Sequence, residues 1–182
     1  MEKKYVKRRI WEAFYELSRT VPFDKLTVEK IIHQSGVSKA TFYRHFRDKY
    51  DVLNYNSMAV AERIIGGQPC KDWRDFLLCM FREIERELDY YRKAFKTSGQ
   101  NAHSRFLFEY SYGVISKCYM SFHGLDKLTA EEHYLISHYC HGCVATIEDW
   151  LQDSARMTAE QMAELFYRAM PERLRGTWTI VK

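Results

Sequence analysis

Apolar residues recur at three- and four-residue intervals along nearly the whole chain, the spacing of one face of an α-helix. Val6, Ile10, Phe14 and Leu17 form the first such stripe and predict a helix over 3–20. Val21-Pro22-Phe23-Asp24 stops it, because proline disfavours helical geometry in the residue before it. Thr27 suits the N-cap of a short helix over 28–34 that turns Val28, Ile31 and Ile32 inward. Ser35-Gly36 ends that helix, since glycine accepts the left-handed conformation common there. Ser38 caps a third helix over 39–46, and Asp48 a fourth that reaches about residue 65. Gly66-Gly67-Gln68-Pro69 is the clearest break. Beyond it the pattern predicts helices over 72–91, a short one to 96, 104–122, 130–152, and a last one from Thr158 to Pro171. Thr129 with Glu132, and Thr158 with Gln161, have the spacing of capping boxes. Thr97-Ser98-Gly99-Gln100-Asn101 predicts a loop, and 172–182 shows no period.

Composition narrows the class to all-α. Eight glycines and three prolines are too few to punctuate a β-rich fold of 182 residues. Charge divides the chain: residues 1–50 hold 12 Lys and Arg against 6 Asp and Glu, a net +6, and residues 51–182 hold 16 against 18, a net −2. A basic end on a slightly acidic body points to a polyanion bound at that end. Uncharged apolar runs are too short to span a bilayer. Met1-Glu2-Lys3-Lys4-Tyr5 has no apolar stretch of a secretory signal. Five cysteines are an odd number for a disulfide framework, so reduced thiols in a cytoplasm are expected.

Residues 27–46 carry the chemistry. Two short helices joined by a tight glycine-containing turn have helix-turn-helix spacing. On the second of them Phe42 and Phe46 share one face with Val37, while Ala40, Thr41, Tyr43 and Arg44 share the other. Ala40 lets the backbone approach a major groove. Thr41 and Arg44 reach base edges, and Tyr43 meets a thymine methyl or a phosphate. Ser38, Lys39, His45 and Lys49 border this face as phosphate contacts. The first amides of the preceding helix, at Thr27, form a further anion site. A solvated polar face on three short helices is the competing reading.

These residues also carry a family pattern. Ile10-Trp11-Glu12-Ala13-Phe14-Tyr15-Glu16-Leu17, then Phe23-Asp24-Lys25-Leu26-Thr27-Val28-Glu29-Lys30-Ile31-Ile32, then Ser35-Gly36-Val37-Ser38-Lys39-Ala40-Thr41-Phe42-Tyr43-Arg44-His45-Phe46-Arg47-Asp48-Lys49-Tyr50-Asp51-Val52-Leu53 resembles the N-terminal domain of the tetracycline-repressor (TetR) family. The match covers about residues 8–53. Two scaffold positions depart from the pattern: Ile32-His33 stands where the family has a small Ala, and Val21-Pro22 where Gly precedes Phe23. Gly142 through Trp150-Leu151 to the helix after Thr158 is similar, more loosely, to the C-terminal domain of a Gram-positive-type subgroup. The resemblance implies a DNA-binding head over 1–53 and a ligand-binding, dimerising body over 54–182.

The helix over 130–152 shows two stripes. One is Ile136, Cys140, Cys143, Ile147, Trp150 and Leu151; the other is Leu135, Tyr139, Gly142 and Thr146. A surface helix usually has one. The second stripe, with Met162 and Phe166 of the last helix, is expected to form a homodimer interface, the arrangement the resemblance also implies. Burial of both stripes inside one chain is the alternative. The middle is aromatic, and Phe76, Met80, Tyr91, Phe106, Tyr110 and Tyr119 are candidates to line an effector pocket where the family binds its ligand.

Cys140-His141-Gly142-Cys143, with His133 and His138 near, invites a metal or thiol-sensor reading, because cysteines at i and i+3 share a helix face. Both share that face with Ile136, Ile147 and Trp150, so packing is the stronger reading. The sequence calls for no cofactor and has no glycine-rich phosphate loop, nucleophile elbow or H-E-x-x-H. The expectation is a non-enzymatic, dimeric regulator of double-stranded DNA on a pseudo-palindromic operator. It acts as a repressor released by a small apolar or aromatic effector. Metal or thiol sensing through Cys140 and Cys143 on the same scaffold is the alternative.

Overall fold

The computed structural model describes residues 2–67, 70–97, 103–154 and 156–179, apart from the side chains of residues 2, 3 and 67. Gln68 and Pro69 of the predicted break, 98–101 of the predicted loop and 180–182 of the tail lie outside the described residues. The elements are α1 (Glu2–Thr20), a 3-10 turn (Phe23–Lys25), α2 (Val28–Ser35), α3 (Lys39–His45), α4 (Lys49–Gly67), α5 (Trp73–Arg86), α6 (Leu88–Phe95), α7 (His103–His123), α8 (Ala130–Gln152), α9 (Ala159–Ala169) and α10 (Glu172–Arg175). No strand occurs among the described residues, and the fold is all-α.

The head forms as its local signals dictate. The Thr27 and Ser38 side chains cap α2 and α3 by accepting from the amides of Lys30 and Thr41. Gly36 closes α2 at φ 63°, its amide bonding back to the carbonyls of Ile32 and His33. A side chain there would be strained by that φ, and its Cβ would lie 2.9 Å from the Arg9 guanidinium. Ile10, Phe14, Leu26, Ile31 and Phe42 close over one another with no exposed surface. This core does not stop at the head. It continues through Val52 and Leu53 to Phe81, Ile84, Tyr91, Leu151 and Phe166 of the body. α4 runs through residues 53 and 54 without a break.

In the body α5 lies along α9, and α7 along α8. Both predicted capping boxes are formed, Thr129 with Glu132 and Thr158 with Gln161. The helix predicted over 72–91 is two helices. Glu87 leaves helical geometry at φ −111° and ψ 36°, and α6 starts at the next residue. At this break the Glu87 carboxylate accepts a hydrogen bond from the Tyr15 hydroxyl of α1. The turn lets Tyr90, Tyr91, Ala94 and Phe95 all enter the core.

The tail, aperiodic in sequence, is packed. Leu174 and Thr177 are fully buried. The Trp178 ring meets Trp73 edge-on at 4.7 Å between centroids and lies 5.4 Å from Phe76. Its Nε1 donates to the Cys70 carbonyl (2.9 Å), and the Trp73 Nε1 donates to the Thr177 hydroxyl (3.4 Å). No helix among the described residues is long and apolar enough to cross a membrane.

Candidate nucleic-acid interface and buried chamber

α3 presents the face that its sequence pattern predicts. Phe42 and Phe46 are buried beneath it. Lys39, Ala40, Tyr43 and Arg44 are exposed along its outer side, with Thr41 and His45 half-buried at the margins. Ser38 both accepts from the Thr41 amide (3.0 Å) and donates to the Thr41 hydroxyl (2.9 Å), which fixes the first turn of the helix. Thr27 is exposed at the start of α2. These eight residues are all at least partly exposed on the head.

Lys49 departs from the expectation. Its ammonium donates to the carbonyls of Phe23 (2.8 Å) and Leu26 (2.9 Å), with that of Asp24 at 3.4 Å. It also lies over the Phe23 and Tyr50 rings, 4.8 and 5.4 Å from their centroids. Burial pushes its pKa down. Its donors are taken up by backbone carbonyls, so Lys49 fastens the 3-10 turn to the start of α4, a role that its reading as a phosphate contact did not foresee. Positive charge alone in the sequence could not separate these roles.

A chamber of about 130 Å³ lies between α4, α5, α7 and α8, with α9 beneath it. Of the expected ligand residues, Phe76, Met80 and Tyr110 line it. Tyr91, Phe106 and Tyr119 do not. Tyr91 is buried in the core at α6, and burial raises its phenol pKa. Phe106 stacks behind Tyr110 at 5.9 Å. Tyr119 donates to the Glu132 carboxylate (3.0 Å) under the α8 cap. The chamber also takes Ser57 and Ala61 from α4, which the sequence pattern did not single out.

The expected dimer residues need a correction. Tyr139, Met162 and Phe166 are 8%, 2% and 4% exposed within one chain, leaving almost no surface for a partner. The Phe166 ring stands edge-on to Phe81 at 4.7 Å, and the Tyr139 hydroxyl donates to the Phe166 carbonyl (3.0 Å). Leu135 and Thr146 are half-buried and Gly142 is exposed. Leu165 (42% exposed), on the apolar face of the last helix, and Tyr134 (70%), which the sequence pattern did not single out, are the large exposed apolar groups of α9 and α8.

Cys140 and Cys143 line the chamber, and burial pushes their thiols up to about 11 and 12. Such thiols stay protonated and are poor nucleophiles and metal ligands. The neighbouring imidazoles point elsewhere: His141 stacks on Phe108 at 3.9 Å, and His133 Nδ1 is 2.7 Å from the Tyr112 hydroxyl. No three His, Cys, Asp or Glu converge as a metal site among the described residues.

His103 at the start of α7 is fully buried. Its Nδ1 lies 2.9 Å from Asn54 Oδ1 and its Nε2 lies 3.3 Å from Ser57 Oγ, both on α4. Burial pushes its pKa down to about 3. An unfolded histidine titrates near 6.5, so between about 6.5 and 3 the unfolded chain takes up a proton that the folded chain refuses. Stability is therefore lost as the pH falls through this window, by roughly 1.4 kcal/mol per pH unit from this group. His103→Gln should show a correspondingly shallower dependence in urea titrations at pH 4.5, 5.5 and 6.5. Equal slopes would mean that His103 is protonated in the folded state.

Residues 10–55 match the family model described as bacterial regulatory proteins, tetR family. Residues 71–172 match the model described as a transcriptional regulator C-terminal region. Two solved structures share the fold. The dihydroxyacetone kinase operon activator DhaS is 14% identical, with 93% of this chain and 96% of that one covered, at a TM-score of 0.64. A TetR transcriptional regulator from Streptococcus agalactiae 2603V is 19% identical, with 91% and 93% covered, at 0.61. No curated protein matches the chain by sequence. A helix-turn-helix head on a helical body of this shape is that of a DNA-binding transcriptional regulator. The chain belongs to the tetR family of bacterial regulatory proteins.

Proposed function

We propose that the chain acts as a homodimer. Residues 1–53 grip a pseudo-palindromic operator, and the body, residues 54–182, releases it when a small apolar or aromatic molecule fills the chamber. The observation that carries this reading is a shared helix. α4 begins at Lys49, bonded into the head, and supplies Ser57 and Ala61 to the chamber wall. A ligand that favours a different setting of α4 changes the separation of the two heads. Successive major grooves lie about 34–36 Å apart, so the heads then fit them less well. Release on ligand binding makes the output repression, in the cytoplasm where the DNA lies. The neighbour DhaS bears the name of an activator, and a reporter fused to the chain's own promoter separates the two signs. Deleting the gene should raise its output under this proposal.

The direct test is binding to DNA from that promoter, with footprinting and a salt titration. A two-fold protected site and steep salt dependence support the reading, and salt-independent binding contradicts it. Lys39 is exposed on the outer side of α3, where its charge suits a phosphate contact. Lys39→Ala should weaken binding to all sequences alike and lower the salt slope by about one per copy. An unchanged slope would remove Lys39 from the interface.

Tyr134, His138, Gly142 and Ala145 are exposed on α8 and Leu165 on α9, bordered by Leu135 and Thr146. We take these faces as the dimer surface. Leu165→Glu costs the isolated fold little because the side chain is 42% exposed. It should yield monomers in sedimentation at micromolar concentration, and persistence of the dimer would move the interface elsewhere.

A further inference from the structure

The polar atoms of the residues that line the chamber are turned away from its space. Ser57 Oγ pairs with His103 Nε2, Ser111 donates to the Phe108 carbonyl (3.1 Å) and Tyr139 to the Phe166 carbonyl. The Trp73 indole N–H is given to Thr177. The Cys140 and Cys143 thiols lie against the Ser111 and Tyr139 hydroxyls, and burial keeps them protonated. A thiol is a weak donor and a weak acceptor. Almost no oxygen or nitrogen surface is left facing the space, the Tyr110 hydroxyl included, and the walls are carbon and sulfur. No Lys, Arg, Asp or Glu lines the chamber among the described residues. Its volume, about 130 Å³, is near that of an apolar cavity of about 150 Å³ that takes benzene.

Small-molecule sites ordinarily carry a few polar groups that fix the ligand's orientation. This chamber offers none, so it selects by size and by the cost of stripping water from whatever enters. A ligand hydroxyl, carbonyl or amine would give up its hydrogen bonds to water and find no replacement of equal strength, and a charge would cost far more. Resting on the chamber as the effector site, we infer that the effector is a hydrocarbon or halogenated hydrocarbon of about one ring. Its hydroxylated, carbonyl-bearing and charged derivatives are not effectors. The walls suit this class, because Met80 and Met170 are flexible enough to close on rings of differing outline, and sulfur meets a ring edge favourably. The chain thereby tells an apolar compound from its oxygenated derivatives, while apolar changes on the ring make little difference.

Calorimetric titration of the full chain with toluene, chlorobenzene and phenol tests this, together with anisotropy of labelled DNA from its own promoter at the same free ligand concentrations. The three are single rings of similar size, and only phenol carries a hydroxyl. Toluene and chlorobenzene should bind alike and release the DNA. Phenol should bind roughly 5- to 150-fold more weakly, the factor that one unsatisfied buried hydroxyl costs, and leave the DNA bound. Met80→Gln puts an amide at the chamber wall and should narrow that gap. Phenol matching toluene on the unmodified chain overturns the inference and leaves the chamber standing as the effector site. An unchanged gap in folded Met80→Gln also overturns it, because the probes then bind outside the chamber. If none of the three binds, or toluene binds without releasing the DNA, the effector reading of the chamber falls and the inference falls with it. Should Met80→Gln fail to fold, toluene against phenol on the unmodified chain decides alone.

Discussion

Truncating Trp73 to alanine is expected to remove roughly 3–5 kcal/mol of stability. The side chain is 2% exposed, sits edge-on to Trp178 and near Phe76, and donates to Thr177. Its loss opens a cavity and orphans the contacts that hold residues 174–178 in place. The melting temperature should fall by about 6–20 °C, the range for a chain of this length. Phe122→Ala, at 54% exposure and away from the proposed dimer faces, is the control and should stay within about 0.5 kcal/mol. Chemical denaturation followed by tryptophan fluorescence reads both. A loss below 1 kcal/mol for Trp73→Ala would show that the tail does not pack as described.

Met80→Trp is expected to lower operator affinity by about 5- to 150-fold without unfolding the chain. Met80 lines the chamber from α5, opposite the α4 wall of Ser57 and Ala61. An indole in its place occupies the volume that a ligand would take and so imitates the ligand-bound state. The space is open, so the strain should not exceed the roughly 1–3 kcal/mol of ordinary overpacking. The same substitution should abolish binding of one-ring ligands. Fluorescence anisotropy with labelled operator measures the first effect and calorimetry the second. A folded Met80→Trp variant that binds operator normally would uncouple the chamber from the head.

The parts legible in sequence are those fixed by near neighbours. Thr27, Gly36 and Ser38 each act within four residues, and the head they punctuate has its predicted helices and exposed face. The two capping boxes act over three residues and stand as read. The misread parts depend on distant partners. Glu87 leaves helical geometry inside a periodic stretch, where its carboxylate meets Tyr15, 72 residues away. Residues 174–178 have no period because they are ordered by Trp73 and Cys70, about a hundred positions back. Lys49 looks like surface charge until three carbonyls from the turn before α2 surround it. Met162 and Phe166 form a stripe as good as any interface stripe, and only the α5–α9 packing shows that the stripe is spent inside the chain.

The Tyr15–Glu87 bond bears on how the head can move. The Lys93 ammonium also donates to the Ser18 carbonyl (2.6 Å), one turn further along α1, and the Tyr15 and Tyr90 rings lie 5.6 Å apart. The head is therefore fastened to the body through α1 as well as through α4 and the core they share. A body held at one point can swivel freely, whereas one pinned at two can only rock about the line that joins them. Any swing of α4 is then expected to reach the head mainly as tilt. In the proposed dimer the two-fold axis would repeat that tilt in the partner, so the two heads are expected to move in or out together.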